Sequence, residues 1–405
     1  MQAFLVILTL AALALVAASP RRFRPTRSRS AVNTFIAVWG SVVVGILLGP
    51  TVTALIPAQP ITYAKPLAVL GLGWIGVMVG AQARTSLLRL VSLRIWTIVA
   101  LDTLITAMVI APLAYLALSK WLAPERPPSA VVALIAAAAL GWAMETRSAR
   151  VASTAEAHRL AIVIRASGGL LAIVAILAVG VASIISTTAT PLATAVSGAT
   201  VLVVAATAAL LLKFAISITS GKRGDQLCVF LGVVGLAAGT AAEIHLSPLF
   251  AALLTGVAIA NLPGKGLRSF EAFILRGEHV VAALFGLTAG ILIDIRIGFG
   301  GLALVFLLTA MRLLLKPVTL SLAIRFSDDA PGQRLPASSP LYLAPIRVSP
   351  VAIALGVSLV LLDPSATNNR VLAVLLISGL LAEVVSITLT ALGARRVGAS
   401  KAVAA

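Results

Sequence analysis

The chain has 405 residues, of which 60% are hydrophobic and only 11% are charged. A soluble domain of this length needs much more polar surface, so these proportions exclude a water-soluble fold and indicate a membrane protein. The formal net charge is +18. The basic residues lie in short loops with no aromatic interleaving, which excludes a nucleic-acid-binding module.

Thirteen stretches are long and apolar enough to cross a bilayer as helices, since a span needs ~20 mostly apolar residues. The chain is therefore predicted to be an all-α polytopic membrane protein with about 13 transmembrane helices. The first could also be a cleaved signal peptide, but it lacks the positively charged start of one, which favours a retained helix. The predicted spans lie near 1–18, 31–56, 66–82, 95–119, 129–153, 160–182, 197–217, 226–242, 245–261, 279–295, 299–325, 341–361 and 370–392.

The loops between these spans differ in charge. Alternate loops carry 22 of the 31 Lys and Arg residues, and the opposite loops carry the five residues Lys65, Lys120, Arg126, Arg296 and Arg370. Because Lys and Arg favour cytoplasmic loops, we expect the N-terminus outside and the C-terminus in the cytoplasm. The expected location is the bacterial inner or plasma membrane.

No motif in the chain indicates an enzyme, a cofactor or a metal site. Gly71, Gly73 and Gly76 have the spacing of a dinucleotide-binding fingerprint, but they lie inside an apolar span and not between a strand and a helix. Close packing of helices explains these glycines better. Cys228 is the one cysteine, and the three histidines His158, His245 and His279 form no metal-ligand spacing.

Several segments resemble a known transporter family in order and spacing. They are the run from Gly45 to Pro50, the glycine-rich helix from Leu67 to Gly80, and the stretch from His245 to Asn261 that continues through Phe270 and Glu271 to Asp294. Over about 31–392 the chain resembles the monovalent cation:proton antiporter-2 family. That family contains Kef-type potassium efflux systems and bacterial sodium/proton antiporters.

The resemblance implies an inverted-repeat fold with two broken helices that cross at the midplane of the membrane. Gly141 in the fifth span and Pro345 and Pro350 in the twelfth are the predicted breaks. The implied assembly is a homodimer. The expected organisation is a first helix and basic loop (1–30), a dimerisation domain (31–94 and 226–297), a transport core (95–182 and 298–394), a linker helix (183–225) and a cytoplasmic tail (395–405).

The chain departs from this family at the residues that bind the ion. Family members carry one or two aspartates midway along the helix that corresponds to 160–182, and this chain has Gly168 and Gly169 there. Segment 160–182 contains no Asp or Glu at all. The departure therefore does not depend on the alignment.

Seven charged residues are predicted to lie within the core helices, where an ionised side chain costs about 2.5–3.5 kcal/mol. They are Arg165, Arg312, Lys316, Arg347, Asp102, Glu145 and Glu383. Our functional hypothesis is that Glu145, next to the break at Gly141, binds the proton or cation and pairs with Lys316. The alternative is a solvated ion pair of Glu145 with Arg147 and Arg150. Asp102 is expected to pair with a core arginine, and Glu383 to be either a buried, hydrogen-bonded carboxyl or part of an interhelical pair.

The expected function is secondary antiport of Na⁺ or K⁺ against protons by alternating access. Two alternatives remain open at this point. A transport-inactive scaffold, sensor or subunit would fit the missing aspartates. An anion carrier would require Arg165, Arg347 and Lys316 to converge with no carboxylate between them. The partners implied are protons, a monovalent cation and the lipid bilayer.

Overall fold

The structure is a computed structural model of the whole chain. It describes residues 30–49, 52, 58–88, 93–117, 128–139, 155–188, 190–218, 223–262, 281, 283–293, 295–327, 349–364 and 366–403. The first predicted span, 1–18, lies outside these residues. The same is true of Glu145, Arg347, Gly141 and Pro345.

The described residues form helices and the turns that join them, with no strand among them. Helices are expected because lipid offers no hydrogen bonds, so each backbone N–H and C=O must be satisfied within its own segment. The helices of ten or more residues are α1 Ser30–Leu48, α2 Ala58–Ala81, α3 Leu93–Ala117, α4 Pro128–Ala139, α5 Ala155–Thr187, α6 Pro191–Ile218, α7 Arg223–Glu243, α8 Pro248–Asn261, α9 Ala283–Leu292, α10 Gly298–Ser327, α11 Pro350–Leu362 and α12 Ala366–Val403.

Six of these helices are long and apolar enough to cross a membrane by themselves: α3, α5, α6, α7, α10 and α12. Five shorter apolar helices lie among the others. The prediction of a polytopic all-α protein is confirmed, whereas the count of thirteen spans stays a prediction. The ends differ from those expected. Helix α5 continues past 182 to Thr187, α6 begins at Pro191 and not at 197, and α12 extends beyond 392.

The outward faces of the long helices are apolar. On α6, bulky apolar side chains are exposed along the whole helix, among them Leu192, Val196, Val203 and Phe214. An exposed apolar band of this length is costly in water and favourable against acyl chains. The protein is therefore a multi-pass membrane protein.

The helices pack as two groups. In the first group, α2 contacts α7 and α8, and α6 contacts the same two helices. In the second group, α10 packs on α3 and α12, α4 packs on α3 and α5, and α11 packs on α4 and α12. Helices α5 and α11 also contact α2 and α8 of the first group. A large apolar cluster joins residues of both groups, from Leu72 and Leu253 to Val357 and Leu372.

Glycines hold the helices of the first group at close range. A Cβ on Gly76 would lie 2.6 Å from the Leu249 carbonyl oxygen, and one on Gly80 would overlap the Leu253 carbonyl. The backbones of α2 and α8 therefore touch, as small residues allow in membrane helices. The interpretation of the Gly71, Gly73 and Gly76 run as helix packing is confirmed.

The same kind of contact joins α1 to α9. Cβ atoms on Gly45 and Gly290 would overlap the carbonyl oxygens of Leu287 and Val42 respectively. Leu287 and Ile291 of α9 also pack against Leu48 of α1 and Leu67 of α2, so α1 and α9 belong to the first group. Two pairs of helices in this group are thus in direct backbone contact. Such contacts leave little freedom for one helix to slide on the other.

Two helices begin with the same pair of residues. Ser247 is the N-cap of α8 with Pro248 at its first position, and Ser349 is the N-cap of α11 ahead of Pro350. Proline suits the first helical position because its missing N–H is not needed there. Pro350, predicted as a break within a span, is thus the first residue of helix α11.

Substitution of Gly80 tests the backbone contact. We expect Gly80→Ala to lower the free energy of unfolding by about 1–3 kcal/mol, because α2 and α8 must separate to admit the methyl group. The measurement is thermal unfolding of purified protein in detergent. Gly239→Ala on α7 is the matched control, since nothing lies within 4 Å of a Cβ at that position. Equal melting temperatures for the two variants would contradict the contact.

Candidate functional site

Three polar residues of α10 share one buried face. Arg312, Lys316 and Thr319 follow each other at spacings of four and three, so their side chains stand one above another on the helix. All three are buried, and Lys316 is only 2% exposed. A helix that is otherwise apolar thus presents two formal positive charges to its neighbours.

Helix α3 supplies a carboxylate to this face. Its bulky exposed residues include Leu104 and Met108, whereas Ile98, Thr106 and Ile110 are buried. Asp102 is four residues before Thr106, so it belongs to the buried face that packs against α10. Its side chain is 17% exposed, so it is the more accessible partner of the pair described next.

The Lys316 ammonium donates a hydrogen bond to Asp102 Oδ2 at 2.7 Å. The Thr319 hydroxyl donates to the other carboxylate oxygen, Oδ1, at 2.6 Å. Both oxygens of Asp102 are thereby engaged by α10. Hydrogen bonds to a charged acceptor are the stronger kind, and here they offset part of the cost of burying both ions.

A second carboxyl completes the cluster. Glu383 on α12 is fully buried, and it attracts the Arg312 guanidinium electrostatically, as does Asp102. Two formal positive and two formal negative charges from α3, α10 and α12 therefore balance. A balanced set is what a low-dielectric site tolerates, because one uncompensated buried charge is strongly destabilising.

Two further oxygen atoms lie near this cluster in the sequence. Thr106 is 1% exposed, and its hydroxyl makes no hydrogen bond among the described residues. Pro317 has no N–H, so the Leu313 carbonyl on α10 lacks its usual helical donor. Both atoms can accept a hydrogen bond or a cation.

The structure gives Lys316 a partner other than the one expected. Lys316 was predicted to pair with Glu145, but its ion pair is with Asp102. The role of Glu145 itself stays a prediction, since that residue lies outside the described part of the chain. Asp102 was expected beside a core arginine, and it attracts Arg312 while it bonds Lys316.

Gly168 and Gly169, predicted to stand where the resembled family carries aspartates, lie on α5, and both are half-buried. A Cβ on Gly169 would lie 2.8 Å from Gln82 Oε1. The space beside Gly169 is thus filled by the end of a flexible amide side chain. Arg165 is on the same helix, but its side chain is outside the described residues.

Sequence reasoning missed Thr319 and Thr106. Neither carries a charge, so neither stood out within an apolar span. The spacing could nevertheless have identified them, because Thr319 follows Lys316 by three residues and Thr106 follows Asp102 by four. At either spacing the second side chain shares the helix face of the first.

No family model and no curated protein sequence matches the chain. Among solved structures, the fold is similar to that of the sodium proton antiporter MjNhaP1 from Methanocaldococcus jannaschii at pH 8, with a TM-score of 0.63. The match covers 97% of this chain and 98% of the other, at 14% sequence identity. The chain therefore has a sodium/proton antiporter fold. The narrower resemblance to the antiporter-2 family stays a prediction.

The charge balance of the cluster can be tested by stability. We expect Asp102→Asn to lower the free energy of unfolding by about 3–5 kcal/mol, because Lys316 then lacks its counter-ion. The double variant Asp102→Asn/Lys316→Met removes one charge of each sign, and it should recover most of this loss. Thermal unfolding in detergent measures both. A double variant less stable than the single one would contradict a paired, balanced cluster.

Proposed function

We propose that the protein exchanges a monovalent cation for protons across the membrane, and that Asp102 is the carboxylate at which the exchange takes place. The contact of Asp102 with the buried Lys316 ammonium carries this proposal. The antiporter fold supports it. The pair lies on α3 and α10, which belong to the proposed transport core.

Lys316 acts in this scheme as an internal competitor for the cation. The ammonium and a monovalent cation carry the same charge, so either can neutralise Asp102. When a cation takes the carboxylate, Lys316 is left as a second buried cation near Arg312, which repels it. An unpaired buried charge is costly, so Lys316 gives up a proton to water. One cation enters the cluster, one proton leaves, and the formal charge is unchanged.

The arrangement of helices supports a division into a moving and a fixed part. Helices α3, α4 and α5 pack with α10, α11 and α12, which are the two halves of the proposed core (95–182 and 298–394). The glycine contacts fix α1 and α2 to α9 and α8, within the proposed dimerisation domain (31–94 and 226–297). Helix α6 lies in the proposed linker (183–225). We propose that the core rocks against a homodimer of the fixed part, with the N-terminus outside the cell membrane.

The buried Ser247 and Ser358 form a polar contact across this boundary, with their hydroxyl oxygens 2.9 Å apart. One belongs to the start of α8 and the other to α11. A single neutral hydrogen bond contributes only about 0.5–1.5 kcal/mol. It can hold one position of the core without preventing its movement.

The anion carrier and the transport-inactive protein are the two alternatives, and the proton-flux experiment below distinguishes them from antiport. An anion carrier needs basic groups that are free of carboxylates, and the contact of Asp102 with Lys316 opposes that arrangement. The absence of acidic residues from 160–182 favours a transport-inactive protein. With the exchange at Asp102, in contrast, transport would not require an acidic residue in 160–182.

Proton flux in proteoliposomes distinguishes these functions. We expect Na⁺ or K⁺, added outside vesicles that hold a pH gradient, to dissipate the gradient, whereas choline does not. Asp102→Asn should reduce the cation-dependent rate at least tenfold, because an amide cannot neutralise a cation. Thr103→Val is the matched control, since the Thr103 hydroxyl already donates to Val99 of its own helix.

Glu145→Gln belongs in the same experiment. A rate that is lost in Glu145→Gln and retained in Asp102→Asn would move the exchange site to Glu145. No response of the wild type to either cation would contradict antiport and favour the scaffold or the anion carrier.

A further inference from the structure

Resting on the proposed exchange at Asp102, we infer that Thr106 and Thr319 join this carboxylate to form an oxygen-lined site for a small monovalent cation. Both threonines are buried, and neither was singled out by the sequence. The inference assigns them direct contact with the transported ion.

The Thr106 hydroxyl is unusual for a threonine in a membrane helix. Elsewhere on α3 and on other helices the threonine hydroxyl donates to the carbonyl four residues earlier, as Thr103 does to Val99, Thr255 to Ala251 and Thr309 to Val305. This bond satisfies a hydroxyl that is buried in apolar surroundings. Thr106 does not make it, although its side chain is 1% exposed. A buried hydroxyl with no partner among the described residues calls for a ligand.

The position of Thr106 on α3 places that ligand next to the Asp102 carboxylate. Residues four apart on a helix have Cβ atoms about 5–6 Å apart on one face, so the hydroxyl lies one turn from the Asp102 carboxylate. A cation between the two would be within reach of both side chains. The unsatisfied oxygen and the negative charge thus belong to one site.

Thr319 can offer its oxygen to a cation because its hydroxyl hydrogen has a second acceptor. Its hydroxyl has two acceptors in reach: Asp102 Oδ1 at 2.6 Å and the Lys316 carbonyl oxygen at 3.2 Å. When a cation occupies the carboxylate, the hydrogen can turn to the Lys316 carbonyl. The lone pairs of the hydroxyl oxygen then face the ion.

The charge of the site selects the class of ion. The site has one carboxylate and two neutral hydroxyls, while Arg312 and Glu383 balance each other. A monovalent cation that replaces the positive charge of Lys316 leaves the cluster neutral, whereas a divalent cation would leave one positive charge in excess. Divalent cations in proteins are usually held by several carboxylates. Oxygen ligands without sulfur or imidazole suit hard ions such as Na⁺.

Cation-dependent stabilisation of purified protein tests this site directly. A ligand that binds only the folded state stabilises it by RT ln(1 + [L]/Kd), so the rise in melting temperature with concentration reports the dissociation constant. The wild type in detergent is titrated with NaCl against choline chloride at constant ionic strength. We expect a Na⁺-specific rise that Thr106→Ser and Thr103→Val retain. In Thr106→Val the Na⁺ dissociation constant obtained from this rise should increase at least tenfold.

Thr106→Val is expected to fold, because the substitution replaces an unpartnered buried hydroxyl by a methyl group of similar shape. Thr319→Val, compared with Thr319→Ser, gives the same test at the second hydroxyl and predicts the same increase. An unchanged Na⁺ dissociation constant in both valine variants would overturn the site. A wild type with no Na⁺-specific rise would also overturn it.

The two proposals can fail separately. Cation-dependent proton flux in the wild type, with unchanged Na⁺ affinity in Thr106→Val and Thr319→Val, would overturn this site and leave the antiport intact. Loss of Na⁺ stabilisation in these variants, with no flux in the wild type, would retain the binding site and contradict the antiport.

Discussion

The need to neutralise one buried lysine organises the second group of helices. Lys316 lies in the middle of α10 and is 2% exposed, where an ammonium is tolerated only with a close counter-ion. Asp102 meets this need from α3, and Thr319 fixes the orientation of the carboxylate. Arg312 and Glu383 extend the same balance to α12. The packing of three helices therefore depends on their charges as well as on their apolar surfaces.

The first group of helices is held together in a different way. Its contacts between α2 and α8 and between α1 and α9 are made by glycines and backbone carbonyls, and the edge-to-face rings of Trp74 and Phe230 join α2 to α7 with centroids 4.6 Å apart. Such contacts depend on shape alone and leave no room for small displacements. This difference between the two groups supports the proposed division into a fixed and a moving part.

The sequence predicted much of the architecture, because the pattern of hydropathy and charge indicates a polytopic helical protein. The membrane class, the all-α fold and the packing role of the glycine run near Gly71 followed from local patterns. The ends of α5, α6 and α12 did not, since hydropathy marks the apolar stretch and the helix continues into polar residues on either side. Lys316, Arg312, Asp102 and Glu383 were also found from sequence, because a charge within an apolar span stands out.

The pairing of these charges could not be predicted from the sequence. Asp102 and Lys316 are 214 residues apart, and only the packing of α3 on α10 decides that they meet. Glu145 was preferred as the partner because it follows the predicted helix break at Gly141. Closeness along the chain to that break does not decide which distant helix Glu145 contacts. The threonines were missed for a related reason. A hydroxyl in an apolar helix is normally satisfied by its own backbone, and only the structure shows that Thr106 is not.

In the proposed exchange, a cation and a proton compete at the Asp102–Lys316 pair. The most direct measurement is the number of protons that the purified protein releases when Na⁺ is added in weakly buffered detergent solution. The wild type should release about one proton per bound cation, since Lys316 is neutralised as the carboxylate is taken, and Asp102→Asn should release none. Equal release from the wild type and Asp102→Asn, or no release from the wild type while it binds Na⁺, would contradict the claim.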